Sequence, residues 1–118
     1  MSNISELSWT GCVLSWKAEQ ILRQVKLDRE VVNAIPLLSG GVAVIEGNDW
    51  TAHAIIFNLD GSLRVSLQNP FRPEDGMVFY YFNYEGANLI VVLAGTTRDF
   101  ACQVDELTGV LSSPRETR

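Results

Sequence analysis

Apolar and polar residues alternate strictly near the middle of the chain. Leu63, Val65 and Leu67 fall on one side, and Arg64, Ser66 and Gln68 on the other. A period of two is the signature of a half-buried strand, and the clean polar side marks a sheet with one wet face. Asp60-Gly61 separates this run from the apolar-rich 53–59 and predicts a hairpin of 53–59 with 62–68. The pattern returns near the end. Phe100, Cys102 and Val104 alternate with Ala101, Gln103 and Asp105, and Asp105-Glu106-Leu107-Thr108-Gly109 then interrupts them. Asp bonds the backbone ahead of it and Gly reaches positive φ cheaply, so a second hairpin is predicted, 98–104 with about 109–113.

Between these hairpins the reading is also strand and turn. Residues 42–46 are a short β-branched run after the Ser39-Gly40-Gly41 turn. Two prolines and a glycine make 69–76 a loop. Residues 77–84 form an aromatic strand. Val78, Tyr80, Phe82 and Tyr84 are expected on one side and Phe79 and Tyr81 on the other. Residues 89–94, apolar on both sides, are expected to be a central strand, with Ile90, Val92 and Phe100 in the core.

The first third is ambiguous. Residues 1–16 read as an N-terminal arm, weakly ordered over 1–10. Either Trp9, Val13 and Trp16 line one side of a short helix, an option that Gly11 weakens, or 12–16, CVLSW, is a strand. Residues 17–35 hold helix formers, but the β pattern downstream favours a strand at about 20–27.

The whole then divides into an arm (1–16), a first unit (17–68), a loop (69–76), a second unit (77–113) and a tail (114–118), within one domain. Each unit is a four-stranded antiparallel meander resembling a blade. The expected fold is therefore all-β, two such meanders packed together as a sandwich or partial propeller, since a lone blade exposes an apolar side.

Composition adds little to the fold and narrows the function. The chain has 118 residues, 47% hydrophobic and 19% charged, with formal net charge −5. Residues 1–36 balance four acids with four bases, so the excess belongs to 37–118, where ten acids meet five bases. That sign argues against nucleic acid and against anionic membrane, both of which attract cations. It suits a basic protein partner. No apolar run reaches the roughly 20 residues of a membrane helix. The opening MSNISELSW holds no basic stretch followed by an apolar one, so a cytoplasmic location is expected. Cys12 and Cys102 are then expected to be free thiols.

The sequence carries no recognisable catalytic or cofactor pattern. His53 is its one histidine, Gly40-Gly41 is followed by no lysine, and Asp60-Gly61-Ser62 lacks the regular oxygen ligands of a calcium loop. No enzyme, metal or cofactor is expected. The expected function is a non-enzymatic protein-binding module, with a ligand pocket between the sheets, served by His53, Asp49 and tyrosines, as the alternative. A homodimer through a sheet edge is a third option. The residues nominated for partner contact are Glu74 and Asp75 in the proline loop, Phe71 beside them, Tyr81 from the aromatic strand, and Asp49.

The succession ILRQVKLD, VAVIEG, IIFNLDGSLRVSL, an aromatic strand, LIVVLAG and FACQVDELTGVL resembles a family of small bacterial proteins built from propeller-type strands of the PQQ/WD40 kind. The likeness covers about 20–111 and rests on turn signatures, so it speaks for fold. It departs from the family pattern at 65–67, where an aromatic is usual. The family has no assigned catalytic residues to transfer. In size and charge such acidic proteins resemble the immunity proteins that neutralise bacterial toxins, and this implies a toxin as partner.

Overall fold

The computed structural model describes residues 4–117. Eleven strands follow one another as β1 (Ile4–Thr10), β2 (Val13–Ala18), β3 (Ile21–Lys26), β4 (Val31–Pro36), β5 (Val42–Glu46), β6 (His53–Phe57), β7 (Leu63–Ser66), β8 (Val78–Glu85), β9 (Asn88–Ala94), β10 (Asp99–Gln103) and β11 (Arg115–Glu116). A single 3-10 turn, Pro73–Asp75, interrupts the proline loop. The strands form three antiparallel sheets, β1-β2-β3, β4-β5-β6-β7 and β11-β10-β9-β8. Each is a meander of chain neighbours, and none closes into a barrel.

The all-β expectation holds, both hairpins are present, and two four-stranded meanders pack together. The first third departs from expectation. Residues 1–3 of the supposed arm lie outside the described residues; the rest of it belongs to two strands of a further sheet, joined at Gly11-Cys12, where Gly11 sits at φ +59. The burial period there is two, not helical: Leu14, Trp16 and Ala18 are buried while Val13 is exposed. The 21–26 strand exists but pairs with β2. The place expected for it in the second sheet is taken by β4, whose Asn33 and Pro36 hid it in the sequence.

The second sheet is the middle layer. β5 is buried along its whole length and divides its side chains between two cores. Val42, Val44 and Phe57 pack with Leu14, Trp16 and Ala18 of the first sheet. Ala43, Ile45, Ala54 and Ile56 pack with Phe79, Phe82, Leu89, Val91, Leu93 and Cys102 of the third. β9 does lie centrally. Ile90 and Val92 are buried with Ala101 on its far side, while Phe100 is only half-buried and packs with the opposite core.

Two bulges correct the expected alternation. Phe79 pairs with Leu93 and Tyr81 with Val92, so Tyr80 is an extra residue in β8. Phe79 and Phe82 thus both face inward, and Tyr80 and Tyr81 both face out. In β7, Leu63 pairs with Phe57 and Val65 with Ile56, leaving Arg64 as the extra residue and Leu63 exposed.

The tail also differs from expectation. The second hairpin closes through a Val104–Leu111 bridge, but the regular returning strand is Arg115–Glu116, paired with Ala101 and Phe100. Residues 105–110 are used up by a wide turn, in which the Gly109 N–H donates to the Asp105 carbonyl and the Asp105 N–H to that of Val110.

Candidate protein-binding surfaces at the strand ends

Successive strands run in opposite directions, so the connections collect alternately at two ends of the stack. One end gathers the turns after β1, β3, β5, β7 and β9. The other gathers those after β2, β4, β6, β8 and β10.

At the first end the 47–52 loop is held rigid. The Asp49 carboxylate accepts the Thr51 N–H at 2.9 Å and the Thr51 hydroxyl at 2.6 Å. Arg29 reaches in from the β3–β4 turn, pairing with Asp49 at 3.1 Å and donating to the Thr51 hydroxyl. These bonds, the one from the Thr51 hydroxyl first, hold the Asp49 carboxyl below its ordinary pKa. Behind the loop, Glu46 is 2% exposed and is the buried charge among the described residues. Its oxygens accept the Arg29 N–H at 3.2 Å and meet His53 Nδ1 at 3.0 Å. The buried carboxylate is thus satisfied by partners that also position the loop. On this frame Trp50 stands 61% exposed.

The proline loop lies at the same end. Arg72 pairs with Asp75 at 3.6 Å and with Glu74 at 3.8 Å, and its N–H donates to Asp75 at 3.2 Å. Phe71 packs on Phe100, ring centres 5.1 Å apart. With Asp75, Met77, Thr97 and Arg98 they line a shallow cleft of about 320 Å³.

Four of the five nominated residues, Asp49, Phe71, Glu74 and Asp75, therefore come to one end of the molecule. Tyr81 does not. It sits on the outward side of β8 against Tyr80, ring centres 5.2 Å apart. Each of the nominated acids also carries an arginine, Arg29 or Arg72, so the field there is weaker than the sequence count suggests. Trp50 was not nominated; its signal was a tryptophan set between Asn-Asp and Thr after a glycine, a turn that must lie at the surface.

The opposite end is knit by one junction that sequence reasoning missed. The Tyr84 hydroxyl donates to Glu106 at 2.8 Å and accepts the Leu38 N–H at 2.9 Å. The other Glu106 oxygen takes the Ser39 N–H at 3.0 Å. Arg64 donates to Asn58 at 2.7 Å, to the Ser39 hydroxyl at 3.2 Å, to the Glu106 carbonyl at 3.1 Å and to the Gly40 carbonyl. Asn58 aside, the partners are 22 to 67 residues apart in the chain, so no local pattern announces them. Burial, with the Glu106 carboxylate adding to it, pushes the Tyr84 phenol up to about 12 against the pull of the Leu38 N–H. A cleft of about 520 Å³ opens beside this junction between Ala87–Leu89 and 103–112. The space between the sheets is filled by the two apolar cores.

Among the described residues no three His, Cys, Asp or Glu side chains stand together to hold a metal ion. Cys102 is buried in the core, and burial raises its thiol pKa, away from nucleophilic use. Asp49, Asp60 and Asp105 each commit one carboxylate oxygen to turn N–H groups. Among the described residues no helix is long and apolar enough to cross a membrane.

No family model matches this chain, and no curated protein matches it. Among solved structures it is similar to a chain of the structure of Tne2 in complex with Tni2. The TM-score is 0.69 over 90% of this chain and 77% of that one, at 16% identity. At that identity the likeness is one of fold.

Proposed function

We propose that this chain is a non-enzymatic protein-binding module of the immunity type, whose contact end is the loop surface around Trp50. The observation that carries the reading is a tryptophan, 61% exposed, on a loop locked by Asp49, Thr51 and Arg29. Tryptophan dominates the energetic centres of interfaces, and a loop already ordered loses little entropy on binding. Support comes from the fold shared with a chain of a two-protein complex. The acidic balance of the chain and the use of its carboxylates as turn caps point the same way. A toxin is the partner of choice, and the cytoplasm the compartment in which the free Cys12 and Cys102 stay reduced.

The test begins with affinity capture from the source organism by the wild-type chain and by Trp50→Ala. A protein held by the first and lost by the second, and rebound after purification, supports the reading. The product of the adjacent reading frame is then expressed in a neutral host with and without this chain. Growth arrest relieved by the chain supports the immunity role. A captured protein held equally by both chains would move the contact away from Trp50.

A further inference from the structure

We infer that the open edge of β3 takes an extended segment of the partner protein, which joins the first sheet as its fourth strand. The inference rests on reading the chain as a protein-binding module. The second and third sheets have four strands each and the first has three. Burial on the first-sheet side of the middle sheet follows this difference. Val42 and Val44 of β5 are fully buried, Phe57 of β6 is buried with Ile55 half-buried, and Leu63 and Ser66 of β7 are exposed. β3 itself lies near the turn before β7, since a Cβ on Gly61 would stand 3.7 Å from a Val25 methyl. The first sheet thus ends one strand short, and the step it leaves is edged by β3 and floored by β7.

The backbone of this edge is in order for pairing. The Leu27 N–H donates to the Cys12 carbonyl at 2.8 Å, which fixes the phase of the ladder. Ile21, Arg23 and Val25 bond toward β2, and Leu22, Gln24 and Lys26 turn their N–H and C=O groups outward. These groups recur at every second residue, about 6.8 Å apart. An extended polypeptide carries donors and acceptors at that spacing, and a lipid or a helix does not. Three sheets have six edges, and among the described residues the other five are blunted. β1, β4, β7 and β8 each carry a register shift, and β11 is two residues long. The Phe82 N–H of β8 is also taken by Asn33 at 2.9 Å. β3 keeps an unbroken register through all six residues and holds no proline or glycine. Its inward charge, Arg23, is answered by the nearby Asp60 carboxylate.

The segment that fits alternates apolar and polar residues. Those beside Ile21, Arg23 and Val25 face inward over β7, and those beside Leu22, Gln24 and Lys26 face water. Ile21 is 51% and Leu63 60% exposed, so apolar surface remains to be covered at both the edge and the floor. A second copy of the chain does not fit. Two β3 strands hydrogen-bonded about a two-fold axis run antiparallel within one continuous sheet, and the overhanging β7 of each copy would then meet β6 of the other. Contact between two such edges, about 20 Å long and 10 Å deep, also covers only about 200 Å² per copy, against about 800 Å² in a stable complex. A segment of a larger partner adds its contact to the one at Trp50. β3 runs directly into the 27–30 turn, whose Arg29 holds the Trp50 loop, so the open edge continues that surface.

The probe is a labelled peptide of about ten residues in which Val and Thr alternate, with Glu at both ends for solubility. It is titrated into the full chain by fluorescence polarisation and by amide hydrogen-exchange NMR. In the free chain the N–H groups of Leu22, Gln24 and Lys26 should exchange fast and those of Arg23 and Val25 slowly. Saturating peptide should slow the first three at least about tenfold. Backbone N-methylation of the peptide at one alternate set of residues should abolish binding, and at the other set should spare it. Gln24→Pro removes an outward N–H alone, a change that edge strands tolerate, and should weaken binding at least about tenfold. Leu63→Lys alters only the exposed floor, should keep the native spectrum, and should weaken binding severalfold. Absence of saturable binding overturns the proposal, as do equal effects of the two methylation patterns, or exchange at β3 unchanged by bound peptide. A chain that sediments as a dimer and becomes monomeric in Gln24→Pro would make a second copy the occupant, and overturn it too. A protein captured through Trp50 and held equally by Gln24→Pro leaves the proposed function standing and rejects this edge.

Discussion

Trp16→Phe tests whether the first sheet is integral to the fold. Trp16 is fully buried between the first and second sheets with Val42, Val44 and Phe57, and its Nε1 donates to the Leu59 carbonyl at 3.0 Å. Phenylalanine removes that hydrogen bond, a net loss of about 1 kcal/mol, and leaves the carbonyl short of its partner. It also buries some 40–50 Å² less apolar surface, about another 1 kcal/mol at 25 cal/mol per Å². Incomplete closure of the space adds a fraction more, so the expected loss is about 2–3 kcal/mol. For a chain of this length that lowers Tm by roughly 8–12 °C. The assay is urea and thermal unfolding followed by far-UV circular dichroism, which reports all three sheets together. Phenylalanine is chosen over alanine because a loss of about 3–5 kcal/mol could unfold a marginal domain and leave nothing to measure. A variant within about 0.5 kcal/mol of wild type would refute the reasoning and return residues 4–18 to the status of a dispensable arm.

Three further outcomes follow from named contacts. The Tyr84 phenol has its pKa raised to about 12 in the folded chain, above an unfolded value near 10. The folded state therefore holds the proton more tightly. This stabilisation is complete below pH 10 and is lost as pH climbs from 10 to 12, so denaturant unfolding should show a steeper alkaline decline in wild type than in Tyr84→Phe. Equal slopes would mean that the phenol is not held buried beside Glu106 in solution. Gly41→Ala should cost about 2–3 kcal/mol, because φ is +124 there and a Cβ would stand 2.4 Å from the Phe57 carbonyl oxygen; a neutral result in chemical denaturation would contradict the β4–β5 turn. Cys12 is partly exposed and Cys102 is buried with a raised thiol pKa. Iodoacetamide followed by mass spectrometry should thus label Cys12 in the native chain and Cys102 only after unfolding, and early labelling of Cys102 would place it outside the core.

Local rules were enough for much of the fold. The apolar-rich run at 53–59, the period-2 runs at 62–68 and 98–104, the turns at Asp60-Gly61 and Asp105–Gly109, and the doubly apolar 89–94 each state their element within a few residues. Hairpin pairing and the central place of β9 follow from them. What local rules missed was decided by contacts between distant segments. Residues 4–18 had no decisive propensity, and only the apolar side of the second sheet, offering Val42, Val44 and Phe57, makes two strands of them with Trp16 buried. The extra residues Tyr80 and Arg64 are invisible to an alternation count, because a bulge is a response to the neighbouring strand and leaves no mark of its own in the sequence.

The candidate surfaces divide in the same way. That Asp49, Phe71, Glu74 and Asp75 lie on loops was legible because turn chemistry places such residues there, and strand alternation then brings those loops to one end. That Arg72 and Arg29 would shield the acids was not legible, since ion pairing depends on side-chain reach in three dimensions. The junction of Ser39, Arg64, Tyr84 and Glu106 depends wholly on tertiary structure. Four turns and strands far apart in sequence converge there. The sequence by itself determined strands, turns and the sign of the charge, all properties of neighbours along the chain. Layer order, bulges and the junction around Glu106 were decided by packing, which neighbours along the chain do not encode.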